Sequence, residues 1–240
     1  MMSTPFLLGI LGGMGPLATL DLMYKLLRAT PASNDQQQIP HVVWNVPQSA
    51  DRQQALAGTG PSPLPQLLHG VKQLNRVGSS HIVIACNTAH HWYEVLAQHS
   101  NAPLLHIVDA TLAVFEGKEK PHRVGLIATQ GTLDAGWFQH GLAAMGIECI
   151  QPTPEELRQW FVPGCYAVKR GEVRTGGELL SLQAQALHDR GAERLVLACT
   201  EVPIALAEIM SPYLAVSIDP AEALAQQCAR LWLTQRETWH

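Results

Sequence analysis

Apolar and polar positions along the chain alternate between two periods. Short runs dense in β-branched and other apolar residues, 7–11 (LLGIL), 41–46 (HVVWNV), 81–85 (HIVIA) and 104–108 (LLHIV), read as buried strands. Between and after them, LATLDLMYKLLRA, LPQLLHGVKQLNRVG and HWYEVLAQH carry apolar residues at helical spacing. From residue 123 the order starts again, with strand-like runs at 123–129 (RVGLIAT), 147–151 (IECIQ), 194–198 (RLVLA) and 214–218 (LAVSI). Strands separated by helical patterns predict an α/β protein with parallel sheets.

The two halves match landmark by landmark. LLGILGGMGPLAT answers to RVGLIATQGTLDAGWFQ, HIVIACNTAHH to RLVLACTEVPIAL, and LLHIVDAT to LAVSIDPA. From Gly9 to Cys86 is 77 positions, and from Gly125 to Cys199 is 74. The predicted architecture is therefore two pseudo-symmetric α/β domains, each a parallel sheet flanked by helices. Residues 1–106 with 213–240 would form the first, and residues 107–212 the second. Open parallel sheets hold ligands at the carboxyl ends of their strands, so the active site is expected in a cleft between the two domains.

Composition narrows the partner. A chain of 240 residues, 47% apolar and 15% charged, suffices for such a core. A net charge of −4 without any Lys/Arg cluster gives no footprint for nucleic acid or an anionic membrane, which leaves a small molecule. The opening stretch MMSTPFLLGILGGMGPLATL is apolar, but its first lysine is Lys25 and GGMGP interrupts it, so it does not read as a secretory leader. No apolar run reaches the length of a membrane span. Five cysteines (Cys86, Cys149, Cys165, Cys199 and Cys228), none in a C-x-x-C pair, predict free thiols in a reducing cytoplasm and no zinc framework.

Candidate chemistry gathers at loops after strands. In GILGGMGPLAT a glycine-rich turn containing Met14 leads to a helix opened by Pro16; its N–H groups serve either a tight turn or a carboxylate-sized anion. NVPQSADRQQAL puts Gln48 and Arg52 in a loop, where Arg52 is either a solvated charge or a planar fork for a carboxylate. GTGPSPLP (58–65) is irregular enough to be a lid. FVPGCYAVKRGEV ends a short helix at Lys169, either for the helix dipole or for a substrate carboxylate. ACNTAHH presents Cys86 at the end of a strand, with Asn87 and Thr88 as donors suited to a carboxylate. His90 either orients that thiol or packs; His91 and Trp92 pack the following helix. Asp109 and Asp219 read as helix N-caps, and Cys149, Cys165 and Cys228 as core residues.

ACTEV repeats the cysteine arrangement at Cys199, with Thr200 and Glu201 following. Two cysteines at equivalent places suit one reaction in particular. Removing a proton from one face of a stereocentre and returning one to the other takes two acid/base groups, and thiols titrate near enough to neutrality to serve as both. This is the logic of a cofactor-independent racemase.

LGGMGPLAT, PQSADR, ACNTAHHWY, LIATQGT, YAVKRG and ACTEV, in this order over most of the chain, resemble the aspartate/glutamate racemase superfamily, and most of all its aspartate racemases. The resemblance implies a two-domain pseudo-symmetric α/β homodimer that racemises aspartate without pyridoxal phosphate, using Cys86 and Cys199; the cysteine spacing itself predicts no metal. It further implies that Met14, Asn87, Thr88, Thr129 and Thr200 surround the substrate, with Gln48, Arg52 and Lys169 toward its side-chain carboxylate. In PQSADR, Ser49 and Ala50 replace the family's usual apolar residue and proline, which bears on how the loop aims Arg52. Glutamate or broad-specificity racemisation and a related two-cysteine isomerisation such as that of maleate are the alternatives, and a silent amino-acid sensor is the alternative outside enzymes.

Overall fold

The computed structural model describes residues 5–117 and 119–236, so Met1–Thr4 of the opening apolar stretch lie outside the described residues. All eight expected strands form: β1 (Leu8–Gly12), β2 (His41–Asn45), β3 (His81–Ile84), β4 (Leu104–Leu105), β5 (Arg123–Ala128), β6 (Glu148–Ile150), β7 (Arg194–Ala198) and β8 (Ser217–Ile218). They pair in parallel as two four-stranded sheets of one topology, β2-β1-β3-β4 and β6-β5-β7-β8. The inner strands are buried almost throughout, which is why they read as unbroken apolar runs rather than alternating ones.

The outermost strands differ from expectation in the same way. LLHIV leaves its sheet after Leu105, and Ile107 already begins the helix Ile107–Leu112; LAVSI is a 3₁₀ turn as far as Val216 and pairs only at Ser217 and Ile218. A short apolar run has no periodicity that separates a strand from the first turn of a buried helix. Asp109 therefore lies in the first turn of its helix rather than before it, whereas Asp219 directly precedes Pro220.

The chain divides between Ala110 and Thr111 and again between Pro220 and Ala221. Both divisions fall later than the expected 106/107 and 212/213. The second does so because Ser217 and Ile218 pair with Leu195 and Val196, and so belong to the second sheet. In the first unit, helix Leu64–Arg76 buries Leu67, Val71 and Leu74 against a cluster that includes Leu11, Ile82 and Ile84. The last helix, Pro220–Gln235, closes this unit: Trp232 Nε1 donates to the Gln37 carbonyl at 2.8 Å, and its ring lies 5.5 Å from that of Phe6.

In the second unit, helix Val173–Asp189 packs on the helices Val162–Lys169 and Glu201–Glu208. Two adjacent glycines permit the approach. A Cβ on Gly176 would lie 2.8 Å from the Gly164 carbonyl oxygen, and one on Gly177 would lie 2.4 Å from that of Ala205. The close packing fixes both helices that flank Cys199. None of the helices among the described residues is long and apolar enough to cross a membrane.

Candidate active site

In the first unit the candidate residues lie in the segments that follow β1, β2 and β3. Gly13 takes φ +92°, and a Cβ there would lie 2.5 Å from the Val46 backbone, so only glycine lets the ends of β1 and β2 approach. The Gly13 N–H donates to Thr19 Oγ1 at 2.9 Å, which spends one turn amide on structure rather than on an anion. Met14 is buried in the same apolar cluster as Cys86 and Ala89.

The PQSADR loop is tied down despite its unusual residues. Ser49 Oγ donates to the Val46 carbonyl, and the Asp51 carboxylate caps helix Arg52–Leu56 by accepting from the Gln53 and Gln54 amides. Arg52 is buried, and its guanidinium donates to the carbonyls of Ala50 and Met14, each at 2.9 Å, and of Ser49 at 3.4 Å. Its fork thus clamps the loop to the glycine-rich turn, and its charge is placed there by that clamp. Gln48 is exposed in the same loop. The GTGPSPLP segment is likewise pinned, with the Thr59 and Gly60 amides both donating to the Gln54 carbonyl.

Cys86 is 6% exposed at the end of β3. Asn87 beside it is buried, yet among the described residues neither its amide nitrogen nor its amide oxygen has a hydrogen-bond partner. A buried amide left unpaired costs on the order of 1–3 kcal/mol, so it points to a ligand that completes it. Thr88, also buried, opens the 3₁₀ turn Thr88–Trp92. His90 touches the backbone of Cys86, not its sulfur. Its Nε2 accepts from the Ile107 N–H at 3.3 Å, which leaves the proton on Nδ1 to donate to the Cys86 carbonyl at 2.9 Å. Burial first, and the neighbouring His106 second, lower its pKa from 6.5 to about 3. His90 is thus a neutral fastener between β3 and the helix after β4.

In the second unit the corresponding place lies at the ends of β5 and β7, where Ala128 and Ala198 are in register. Thr129 caps helix Gln130–Ala135 and hydrogen-bonds to Thr132. Cys199 is 5% exposed, and its thiol donates to Glu201 Oε2 at 3.2 Å. Thr200 Oγ1 donates to the same oxygen at 3.2 Å. From helix Val162–Lys169 come two further groups: Cys165 Sγ, 3.8 Å from Cys199 Sγ, and Lys169 Nζ, 3.9 Å from Glu201 Oε1. The hydrogen bond with Cys165, then burial, then the charges of Cys165 and Glu201 push the Cys199 thiol well above its usual range; Lys169 opposes them. Cys199 accordingly holds its proton at neutral pH.

Sequence reasoning passed over Cys165 and Glu201. The signal was available, because Cys165 and Lys169 are four apart on one helix and so share a face, and Glu201 is two residues from Cys199.

A family profile described as Asp/Glu/Hydantoin racemase matches residues 11–228. The chain belongs to that family. Similar proteins include the Picrophilus torridus aspartate racemase, whose structure superposes with a TM-score of 0.81 at 28% identity over 95% of this chain and 94% of that one. The broad specificity amino-acid racemase RacX of Bacillus subtilis (strain 168) is 26% identical over 95% of this chain and 98% of its own length. Glutamate racemase of Desulforudis audaxviator (strain MP104C) is 26% identical over 66% of this chain and 58% of its own length. This racemase is accordingly an isomerase acting on amino acids, in a family that works without pyridoxal phosphate.

Proposed function

We propose that this racemase interconverts L- and D-aspartate by a two-base mechanism in which Cys86 and Cys199 exchange the roles of base and acid. The observation that carries the reading is the repeated placement of a cysteine, 5–6% exposed, at the end of the third strand of each sheet. The likeness to the Picrophilus torridus aspartate racemase over nearly the whole length of both chains supports aspartate as the substrate.

The protonation of Cys199 sets the starting state. Cys199 is the acid at rest, and Cys86 takes the Cα proton first; the opposite enantiomer is processed with these roles exchanged. The α-proton of a zwitterionic amino acid is very weakly acidic, so charge developing on the α-carboxylate must be met by fixed donors. The unpaired Asn87 amide supplies one in this reading, and Thr88, Thr129 and Thr200 accompany it. Arg52 and Lys169 supply positive charge toward the side-chain carboxylate, Lys169 while remaining beside Glu201, with Met14 and Gln48 at the margin of the site. The five free cysteines support a reducing cytoplasm as its place.

Nuclear magnetic resonance of Cα deuterium incorporation from heavy water, across a panel of L- and D-amino acids, tests the substrate. Exchange of both aspartate enantiomers well above all others is expected. Comparable exchange of many amino acids would instead give the broad-specificity reading, which the full-length alignment with RacX favours. Binding without exchange would overturn racemisation of the panel.

A homodimer is part of this proposal. Helix Pro16–Ala29 leaves Leu17, Leu20, Tyr24 and Leu27 exposed, by 40%, 60%, 59% and 49%, as one apolar stripe. Leu20→Glu should shift the protein from dimer to monomer in analytical ultracentrifugation; an unchanged mass would place the interface elsewhere.

A further inference from the structure

We propose that Cys165, Cys199 and Glu201 form a site for a single thiophilic divalent cation, of which Zn²⁺ is the type, and that this ion withdraws Cys199 from catalysis. The effect on catalysis rests on the two-cysteine reading; the site itself does not. All three donors are buried and lie within 4.8 Å of one another. The two spacings that involve Cys199 can be set against a tetrahedron's edges. Zinc–sulfur bonds of about 2.3 Å set two sulfurs about 3.8 Å apart, and the Cys165 and Cys199 sulfurs are 3.8 Å apart. A sulfur and an oxygen around the same ion are about 3.6 Å apart, against 3.2 Å for Cys199 Sγ and Glu201 Oε2. A small rotation of the carboxylate closes that difference.

Charge and rigidity agree with the spacing. Two thiolates and a carboxylate are balanced by a divalent ion together with Lys169, which stands on the other carboxylate oxygen at 3.9 Å. That oxygen, Glu201 Oε1, has no hydrogen-bond partner among the described residues. Cys165 lies on helix Val162–Lys169 and Glu201 begins helix Glu201–Glu208, both packed on Val173–Asp189 at Gly176 and Gly177. Cys199 directly follows the strand that leads into the second of them, so the two sulfurs are already placed before any ion arrives. Binding releases one proton from each thiol and leaves the fourth position to water. Once bound, Cys199 has no proton to give, and the ion draws on the sulfur's electrons and makes it a much weaker base. The order of cysteines along the chain carries no zinc signature, because helix Val162–Lys169 and the end of β7 meet only in the folded unit.

The test is titration of the reduced protein with Co²⁺, which reports thiolate ligation by its charge-transfer absorption and needs no turnover. One Co²⁺ per chain with that absorption, displaced by Zn²⁺, is expected. Cys165→Ala, or Cys165→Ser should the first variant fold poorly by circular dichroism, should weaken binding by at least about tenfold through loss of one of three ligands. Cys86→Ala should leave it unchanged. Absence of the band in the unmodified protein, its persistence without Cys165, or its loss without Cys86 would each overturn the site. A protein that binds Co²⁺ in this way yet shows no Cα exchange would keep the site and refute the two-cysteine racemase.

Discussion

The ends of β3 and β7 occupy the same place in sheets of the same topology, and both present a cysteine 5–6% exposed. Their surroundings are chemically unlike. Cys86 is followed by an amide with open hydrogen-bonding capacity and by a neutral histidine fastened to backbone. Cys199 faces a carboxylate, a second thiol and, behind the carboxylate, a lysine. A fold duplicated along the chain thus supplies two equivalent positions, while the side chains differentiate them into a donor-rich end and a proton-holding end. The proposed two-base racemisation would draw on both: equivalent positions for reversibility, and unequal protonation so that each turnover begins with one base and one acid.

The largest expected effect comes from deleting either member of the pair. Cys86→Ala and Cys199→Ala should each lower aspartate racemisation by about 10²- to 10⁴-fold, the range of a positioned acid or base, measured by circular dichroism of the product. If either variant racemises at the rate of the parent protein, the two ends are not a pair. Next is the open amide beside Cys86. Asn87→Ala should reduce kcat by roughly 10²- to 10³-fold as an electrostatic donor is lost, and a change confined to KM would make Asn87 a binding group only.

Glu201→Gln tests the proton-holding end more gently. Removing the carboxylate charge lowers the Cys199 pKa, so for the enantiomer that uses Cys199 as acid the alkaline limb of kcat/KM should move to lower pH. The opposite enantiomer, which needs Cys199 as base, should gain rate at neutral pH. Equal shifts for both enantiomers would erase the distinction between the two ends.

The smallest effect concerns stability. His90 has a folded-state pKa of about 3, against 6.5 when solvated, so the unfolded chain binds the extra proton between those values. Stability is therefore fully present above pH 6.5 and falls as pH drops toward 3, by at most about 1.4 kcal/mol per pH unit. His90→Gln should flatten the acid slope of the urea midpoint. An unchanged slope would assign acid sensitivity to other groups.

Much of this was legible in the sequence. The inner strands read as apolar runs because they are buried almost throughout, and the Ala-Cys pair that follows an apolar run in each half locates both cysteines. The edge strands were overread, since LLHIV and LAVSI stay apolar where the chain turns into helix. Arg52 was recognised as a planar fork, but nothing local revealed that backbone carbonyls of its own loop and of Met14 engage it.

The sequence by itself determined the duplicated α/β plan and the two strand-end cysteine positions, because hydrophobic period and strand-end residues are written locally. Only the tertiary structure decided how those positions differ. The protonation of Cys199 depends on Cys165, brought 3.8 Å away from another helix, and the role of His90 depends on Ile107, across from it at the edge of the sheet. Burial and through-space charge set a group's proton affinity, and neither is a property of neighbours along the chain.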